Sequence, residues 1–320
     1  MTEIVGLVLP FFGLILVGYV TARLVSQPQE ALGWFNIFIV YLALPALFFK
    51  LLAVTPIEEL TRWGFVLTNL GVTFTVFAVL VAIGVWVRRA GVADATIQGL
   101  AGAYGNIGYM GPGLAIIAFG ERAAVPVALI FCFENIMHFT LAPTLMAVAD
   151  GGRESKRSLL FGIARRVLLH PFIIATAIGV MAAASGLAVP LPLQRLVDYL
   201  AQAAAPCALF VMGVTLALRP LKRVPVELGY IVPAKLVIHP VLMYLALSAV
   251  GDFDPAWVFT AVLMAALPTA TNVFVIAQQY GFWVQRASAT ILVTTSLSVF
   301  TVSALLAAIT TGWLPPDLFP

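Results

Sequence analysis

Apolar residues run along this chain in long blocks, separated by short clusters of charge or proline. Ten blocks are read this way, at roughly 4–24, 32–53, 63–87, 95–119, 123–148, 163–186, 195–218, 227–250, 256–281 and 286–311. Each exceeds the length of about 18 apolar residues at which a segment is read as a membrane-crossing helix. The pattern predicts an all-α integral membrane protein with ten transmembrane helices.

Composition agrees. The chain is 62% hydrophobic and 10% charged, with a mean hydropathy of +1.05, whereas a soluble domain is about half apolar and a quarter charged. The first block begins with Glu3, has no basic stretch and has no small-residue cleavage pattern before Arg23. It is read as a retained first span rather than a leader. Cys132 and Cys207 both fall inside apolar blocks and are read as small buried side chains, not as a disulfide or metal ligands.

Charge placement sets the orientation. With the N-terminus outside, 12 basic residues fall in cytoplasmic loops: Arg23, Arg88, Arg89, Arg153, Lys156, Arg157, Arg165, Arg166, Arg219, Lys222, Arg223 and Arg286. Only Lys50, Arg62, Arg122 and Arg195 fall outside. Both termini are therefore expected outside, and the loop GGRESKRS inside. Arg153, Lys156 and Arg157 are read as orientation signals, not as contacts to nucleic acid.

The two halves of the chain repeat each other. Pro10, Phe11 and Gly18 in the first block match Pro171, Phe172 and Gly179 in the sixth, and Pro45 matches Pro206, all at an offset of 161. The division is thus 1–158 and 159–320, five spans each, so the second copy enters the membrane inverted. Inverted repeats are a carrier signature, with sites built from discontinuous helices at corresponding places in the two halves. The fourth block contains AYGNIGYMGPGLAI, and the ninth contains AALPTATNVFVIAQQYG. Glycine, proline and asparagine at mid-span predict that both helices are broken there. Backbone released by such a break is tolerated where it lines a cavity or is buried in protein. The second half-helix of each pair starts near Pro112 and near Thr271, and its positive end can receive an anion. The residues assigned to substrate are Asn106, Tyr109, Gly111, Pro112, Pro268, Thr271 and Asn272.

GNIGYMGPGLAI, APCALFVMGVTLAL, PAKLVIHP and LPTATNVFVIAQQYG resemble the auxin efflux carrier family, which includes plant PIN carriers and bacterial malonate and malate carriers. The resemblance covers essentially the whole chain. It implies two inverted five-span repeats that cross at broken helices 4 and 9. It also implies an elevator movement of a transport domain (helices 3–5 and 8–10) against a scaffold (helices 1, 2, 6 and 7), and a homodimer through the scaffold. The short central segment 149–162 suits a bacterial inner-membrane carrier.

Two formally charged residues lie deep in the spans, Glu134 and Lys235, and intramembrane charge marks function by default. They are expected either to pair or to alternate between each other and the cargo, with Lys235 neutralising substrate or standing in for a coupling cation. Asn135, His138 and Gln202 join them as candidates for ion coupling, His138 as a proton relay. His170 and His239, each before a proline, are read as structural. The glutamate–glutamine–asparagine sodium motif of the related bile-acid symporters is not matched by Glu134-Asn135 and the IMHF that follows. Proton coupling, sodium coupling and potential-driven uniport all stay open.

The function expected is secondary transport of a small organic anion, such as a mono- or dicarboxylate. The alternative is a transporter-derived sensor that binds the anion without moving it. The sequence has no His-Glu-x-x-His pair, nucleophile elbow or Walker A loop, so neither an enzyme nor an ATP-driven pump is expected. No cofactor or metal is implied.

Overall fold

The computed structural model describes residues 2–25, 27–151, 155–186, 189–218 and 224–318. Arg153, Arg219, Lys222 and Arg223, which enter the orientation argument, lie outside the described residues. The described chain is helical, and its only β pairing is an isolated bridge. Six helical stretches are long and apolar enough to cross a membrane, and three further apolar helices are shorter. The protein is a multi-pass integral membrane protein.

The helices are numbered here in chain order. They are α1 (Thr2–Val25), α2 (Gly33–Ala53), α3 (Trp63–Ala82), α4 (Val92–Ala103), α5 (Gly111–Phe119), α6 (Ala124–Ala149) and α7 (Lys156–Leu168). They continue with α8 (Pro171–Ser185), α9 (Leu191–Leu218), α10 (Leu228–Val250), α11 (Pro255–Ala266), α12 (Thr271–Tyr280) and α13 (Val284–Thr310).

Breaks fall where expected between α4 and α5 and between α11 and α12. One further break, before α8, departs from the expected single span at 163–186. Pro171 forces it: the residue before a proline is driven out of the helical region, and His170 is extended at φ −70°, ψ 129°. Pro171 then starts α8, where its missing N–H costs nothing.

Two helices carry a π-turn close to a proline. Ile39–Ala43 lies within α2 and Ala234–Ile238 within α10, just before Pro45 and Pro240. Leu44 N–H reaches back to Ile39 and His239 N–H to Ala234, five residues rather than four. A helical proline cannot donate its bond and crowds the carbonyl four residues earlier. Widening the preceding turn accommodates that defect.

The chain divides into two compact units. The first comprises residues 1–63, 108–132 and 168–220. Here α1 packs on α9 through glycine: a Cβ on Gly18 would stand 2.1 Å from the Phe210 carbonyl oxygen, and one on Gly213 would stand 1.9 Å from that of Ile15. Small residues serve this role in membranes because helices there gain little from burying apolar surface and associate by close backbone approach. Phe48, Phe131 and Phe172 form a three-ring cluster, with centroid separations of 4.5, 5.8 and 4.6 Å. Lys50 pairs with Asp198 at 2.6 Å on the unit's surface. Cys132 is buried, Cys207 half-buried, and both are free thiols.

The second unit comprises residues 64–107, 133–167 and 221–320. A Cβ on Gly102 of α4 would meet Leu80 of α3 at 2.0 Å. Phe65 packs edge-on against Trp257 at 4.9 Å. Arg286 donates to Glu227 at 2.7 Å, and Tyr230 donates to Gln98 at 2.6 Å.

Gly213→Val, which drives side-chain atoms into the α1 backbone, is expected to destabilise the detergent-solubilised protein by about 3 kcal/mol, read as a lowered unfolding midpoint. Gly13→Ala, whose Cβ position is open, is expected to leave the midpoint unchanged.

Candidate functional site

The site is built where the two mid-span breaks in the second unit meet. Gly105 and Thr269 form an antiparallel bridge. Asn106 N–H donates to the Pro268 carbonyl at 2.8 Å, and Ala270 N–H donates to that of Tyr104 at 2.9 Å. The Thr269 amide and hydroxyl are also paired. Its N–H donates to Thr294 Oγ1 at 3.2 Å and its hydroxyl to the Ala101 carbonyl at 2.6 Å. Each break thus supplies the partners the other has lost, as burial away from water requires.

Local sequence enforces this geometry. Leu267, ahead of Pro268, is extended at φ −62°, ψ 149°, as a residue before proline should be. Gly105 is needed for space: a Cβ there would come within 3.1 Å of the Met264 carbonyl oxygen and 3.2 Å of Lys235 Nζ.

Side chains join across the bridge through Tyr104. Asn272, in the first turn of α12, donates from Nδ2 to the Tyr104 hydroxyl at 2.8 Å. That hydroxyl donates in turn to Asn135 Oδ1 on α6. The Tyr104 ring stacks on His138, centroids 4.1 Å apart. Tyr104 is absent from the expected site. Its signal was its position in the glycine-rich run, an aromatic hydroxyl beside the break.

The buried charges form a second cluster. Glu134 and Lys235 make no direct ion pair, so pairing, one of the two expected arrangements, is not made as a contact. They are linked instead through two neutral side chains. Lys235 Nζ stands 3.2 Å from His239 Nδ1, His239 Nε2 stands 3.2 Å from Thr73 Oγ1, and the Thr73 hydroxyl donates to Glu134 Oε1 at 2.9 Å. All four residues are buried, Lys235 completely. Lys235 Nζ also donates to the Ala265 carbonyl at 2.6 Å, at the C-terminal end of the half-helix α11. The negative end of a helix dipole and its unpaired carbonyls suit a cation.

Since the Thr73 hydroxyl has one hydrogen and gives it to Glu134, it must accept from His239 Nε2–H. His239 Nδ1 then accepts from Lys235. Every bond in the chain points from the ammonium to the carboxylate. His239, read from the sequence as structural, is therefore the bridge. Its spacing four residues after Lys235 was the available signal, since such residues share a helix face. His138 lies elsewhere: neither ring nitrogen has a hydrogen-bond partner among the described residues.

The expected site residues divide between the units. Asn106, Pro268, Thr271, Asn272, Glu134, Asn135, His138 and Lys235 belong to the second unit. Tyr109, Gly111, Pro112 and Gln202 belong to the first, with Gln202 exposed on α9. Among the described residues, no group of three or more His, Cys, Asp or Glu is arranged to hold a metal ion.

Thr294→Val keeps the side chain's shape but removes the acceptor for Thr269 N–H. An unpaired buried donor costs about 1–3 kcal/mol, so a lowered unfolding midpoint in detergent is the expected result.

Comparison with known proteins gives one consistent picture. The profile of the family described as "Membrane transport protein" matches residues 3–306. A protein of Rhizobium meliloti (strain 1021) named "Putative malonate transporter" is 69% identical over 320 residues, covering 100% of both chains. An "Uncharacterized transporter" of Methanothermobacter thermautotrophicus is 26% identical over 294 residues, 91% of this chain and 94% of the relative. "Uncharacterized transporter YfdV" of Escherichia coli (strain K12) is 24% identical over 322 residues, 95% of this chain and 96% of the relative.

Proposed function

The chain belongs to the auxin efflux carrier family of membrane transport proteins, and from that premise we propose that it is a secondary carrier of small organic anions. The cargo class proposed is a mono- or dicarboxylate, with malonate as the first candidate because the 69%-identical relative carries that substrate in its name. The family and its relatives are transporters and not enzymes.

One observation carries the anion assignment. The bridged breaks hold the start of α12, with Asn272 in its first turn, on the same structural knot as the Lys235 ammonium, 3.2 Å from where a Gly105 Cβ would stand. A helix N-terminus, amide donors and a buried ammonium all stabilise a carboxylate. In this reading Asn106, Pro268, Thr271 and Asn272 line the binding place. Lys235 faces the cargo's charge from the position a mobile cation would take against the Ala265 carbonyl.

Ten spans in two inverted repeats are part of the same proposal. Gly18 lies against the backbone of Phe210, and Gly179 lies against the backbone of Phe49. Both members of the first pair are displaced by 161 from those of the second, the offset of the sequence repeat. A contact made twice, once from each half, is what a two-fold relation between repeats requires. The elevator reading takes the second unit as the moving part. The first unit holds α1, α2, α8 and α9, the helices assigned to the scaffold, which supports that reading. It also holds α5 and the first residues of α6, a division the resemblance does not imply. The proposed location is a bacterial inner membrane with both termini outside, and assembly is through the scaffold helices as a homodimer.

The test is uptake of labelled malonate, malate and a neutral control into proteoliposomes. Saturable uptake of the anions alone is expected. Binding without accumulation would overturn the carrier in favour of a sensor. Asn272→Ala is expected to abolish uptake, by about a hundredfold, in a protein that still inserts and folds; wild-type rates would remove the bridged breaks from the binding place. Lys235→Ala is expected to raise the half-saturation concentration for anions about tenfold or more. An unchanged value would leave Lys235 a purely structural cation.

A further inference from the structure

The chain of Lys235, His239, Thr73 and Glu134 runs from side chain to side chain, and among the described residues only Lys235 also bonds to backbone, at the Ala265 carbonyl. It is not the cheapest way to bury two charges. A buried carboxylate and ammonium are least costly in direct contact, because their attraction then offsets most of the lost hydration. Here they are held apart by an imidazole and a hydroxyl, the two side-chain types that can give up one proton while accepting another.

The geometry points to a proton path in which Lys235, His239, Thr73 and Glu134 carry the coupling proton of transport, loaded at the helix breaks and stored on Glu134. This rests on the carrier reading given above and names its coupling ion. The transfer is a concerted shift along bonds already aligned. Lys235 Nζ gives a proton to His239 Nδ1, His239 Nε2 gives its proton to Thr73 Oγ1, and Thr73 gives its own to Glu134 Oε1. Three N–H or O–H bonds break and three form. When the cargo place opens to one side, the neutral Lys235 amine takes a proton from hydronium on that side, restoring the ammonium and leaving water. The net change is one proton added to the Glu134 carboxylate. The chain resets on release: Lys235 gives up a proton on the opposite side, and the reverse shift returns the Glu134 proton to Thr73, the Thr73 proton to His239 Nε2 and the His239 Nδ1 proton to Lys235.

Charge explains why loading should accompany the cargo. With the resting ammonium–carboxylate pair, a bound anion leaves the buried cluster with net negative charge, which is costly in low dielectric. One stored proton cancels one unit of it. The empty cluster, with that proton released, is neutral as well. The other titratable groups around the chain are His138 and Tyr104. The Tyr104 hydroxyl is committed to Asn135, and His138 has no hydrogen-bonded neighbour among the described residues to pass a proton to. The path therefore runs through His239 and not through His138. Because the Lys235 ammonium already occupies the carbonyl end of α11, sodium has no role in this cycle.

Thr73→Val and His239→Gln interrupt the path while preserving shape, and the glutamine keeps one donor and one acceptor. Both are assayed in proteoliposomes with malonate as probe and the membrane potential clamped. Wild-type protein is expected to accumulate malonate under an inward proton gradient and not under a sodium gradient. Both variants are expected to lose gradient-driven accumulation by about tenfold or more, while malonate counterflow, which needs no net proton movement, persists. Accumulation by the variants at the wild-type level would overturn the path. So would wild-type accumulation that ignores the proton gradient.

Failure of the wild type to exchange malonate at all would instead count against the carrier reading. The path is then decided on purified protein by infrared difference spectroscopy. A carboxyl C=O band that gains intensity as pH falls, vanishes in Glu134→Gln and shifts in Thr73→Val is expected. The absence of any such titrating band would overturn the proposal without reference to transport.

Discussion

The constraint on which this structure depends is the pairing of backbone polar groups where no water is available. The chain breaks between α4 and α5 and between α11 and α12, which releases buried amides and carbonyls, and each such group left unpaired costs several kcal/mol. The solution is reciprocal: the amide of Asn106 takes the carbonyl of Pro268, and the amide of Ala270 takes that of Tyr104. Thr269, Thr294 and Ala101 complete the pairing, and Gly105 is the residue that lets the two segments approach. Helix ends, amide side chains and an ammonium are thereby brought to one place as a by-product of satisfying the backbone.

The buried polar side chains beside that knot form two groups. Tyr104 gathers Asn272 and Asn135 on one side, and Lys235 gathers His239, Thr73 and Glu134 on the other. The two groups answer different chemical needs. The first offers neutral hydrogen bonding beside a helix N-terminus, suited to recognition. The second separates opposite charges by groups that can exchange protons, suited to storing and releasing one.

Much of this was legible in the sequence, because the signals involved are strong and local. Long apolar blocks specify membrane helices, and glycine with proline at mid-span marks a break. The matching positions of Asn106 and Asn272 made the two breaks partners before any contact was known. What was not legible depends on rotation and register. Thr73 is one of three threonines in its helix, and the other two, Thr68 and Thr75, bond to their own backbone four residues earlier. Only the packing of α3 against α6 and α10 selects Thr73 for Glu134 and His239. His239 looked structural because Pro240 follows it, and Tyr104 was not among the candidate residues. The interruption at His170 was visible as a proline but read as part of one continuous span.

The π-turn at Ala234–Ile238 sets a limit on how α10 can vary. It adds one residue to a helical turn, so the segments before and after it are out of step with an ordinary helix by about 100°. Removing any single residue between Pro233 and Pro240 would restore the regular winding and swing Lys235 away from both Ala265 and His239. Adding one would do the same in the other sense. Loop lengths elsewhere can drift, but across these few residues the spacing itself is under constraint, independently of which side chains are present. Substitutions would be tolerated along α10 far more readily than insertions or deletions.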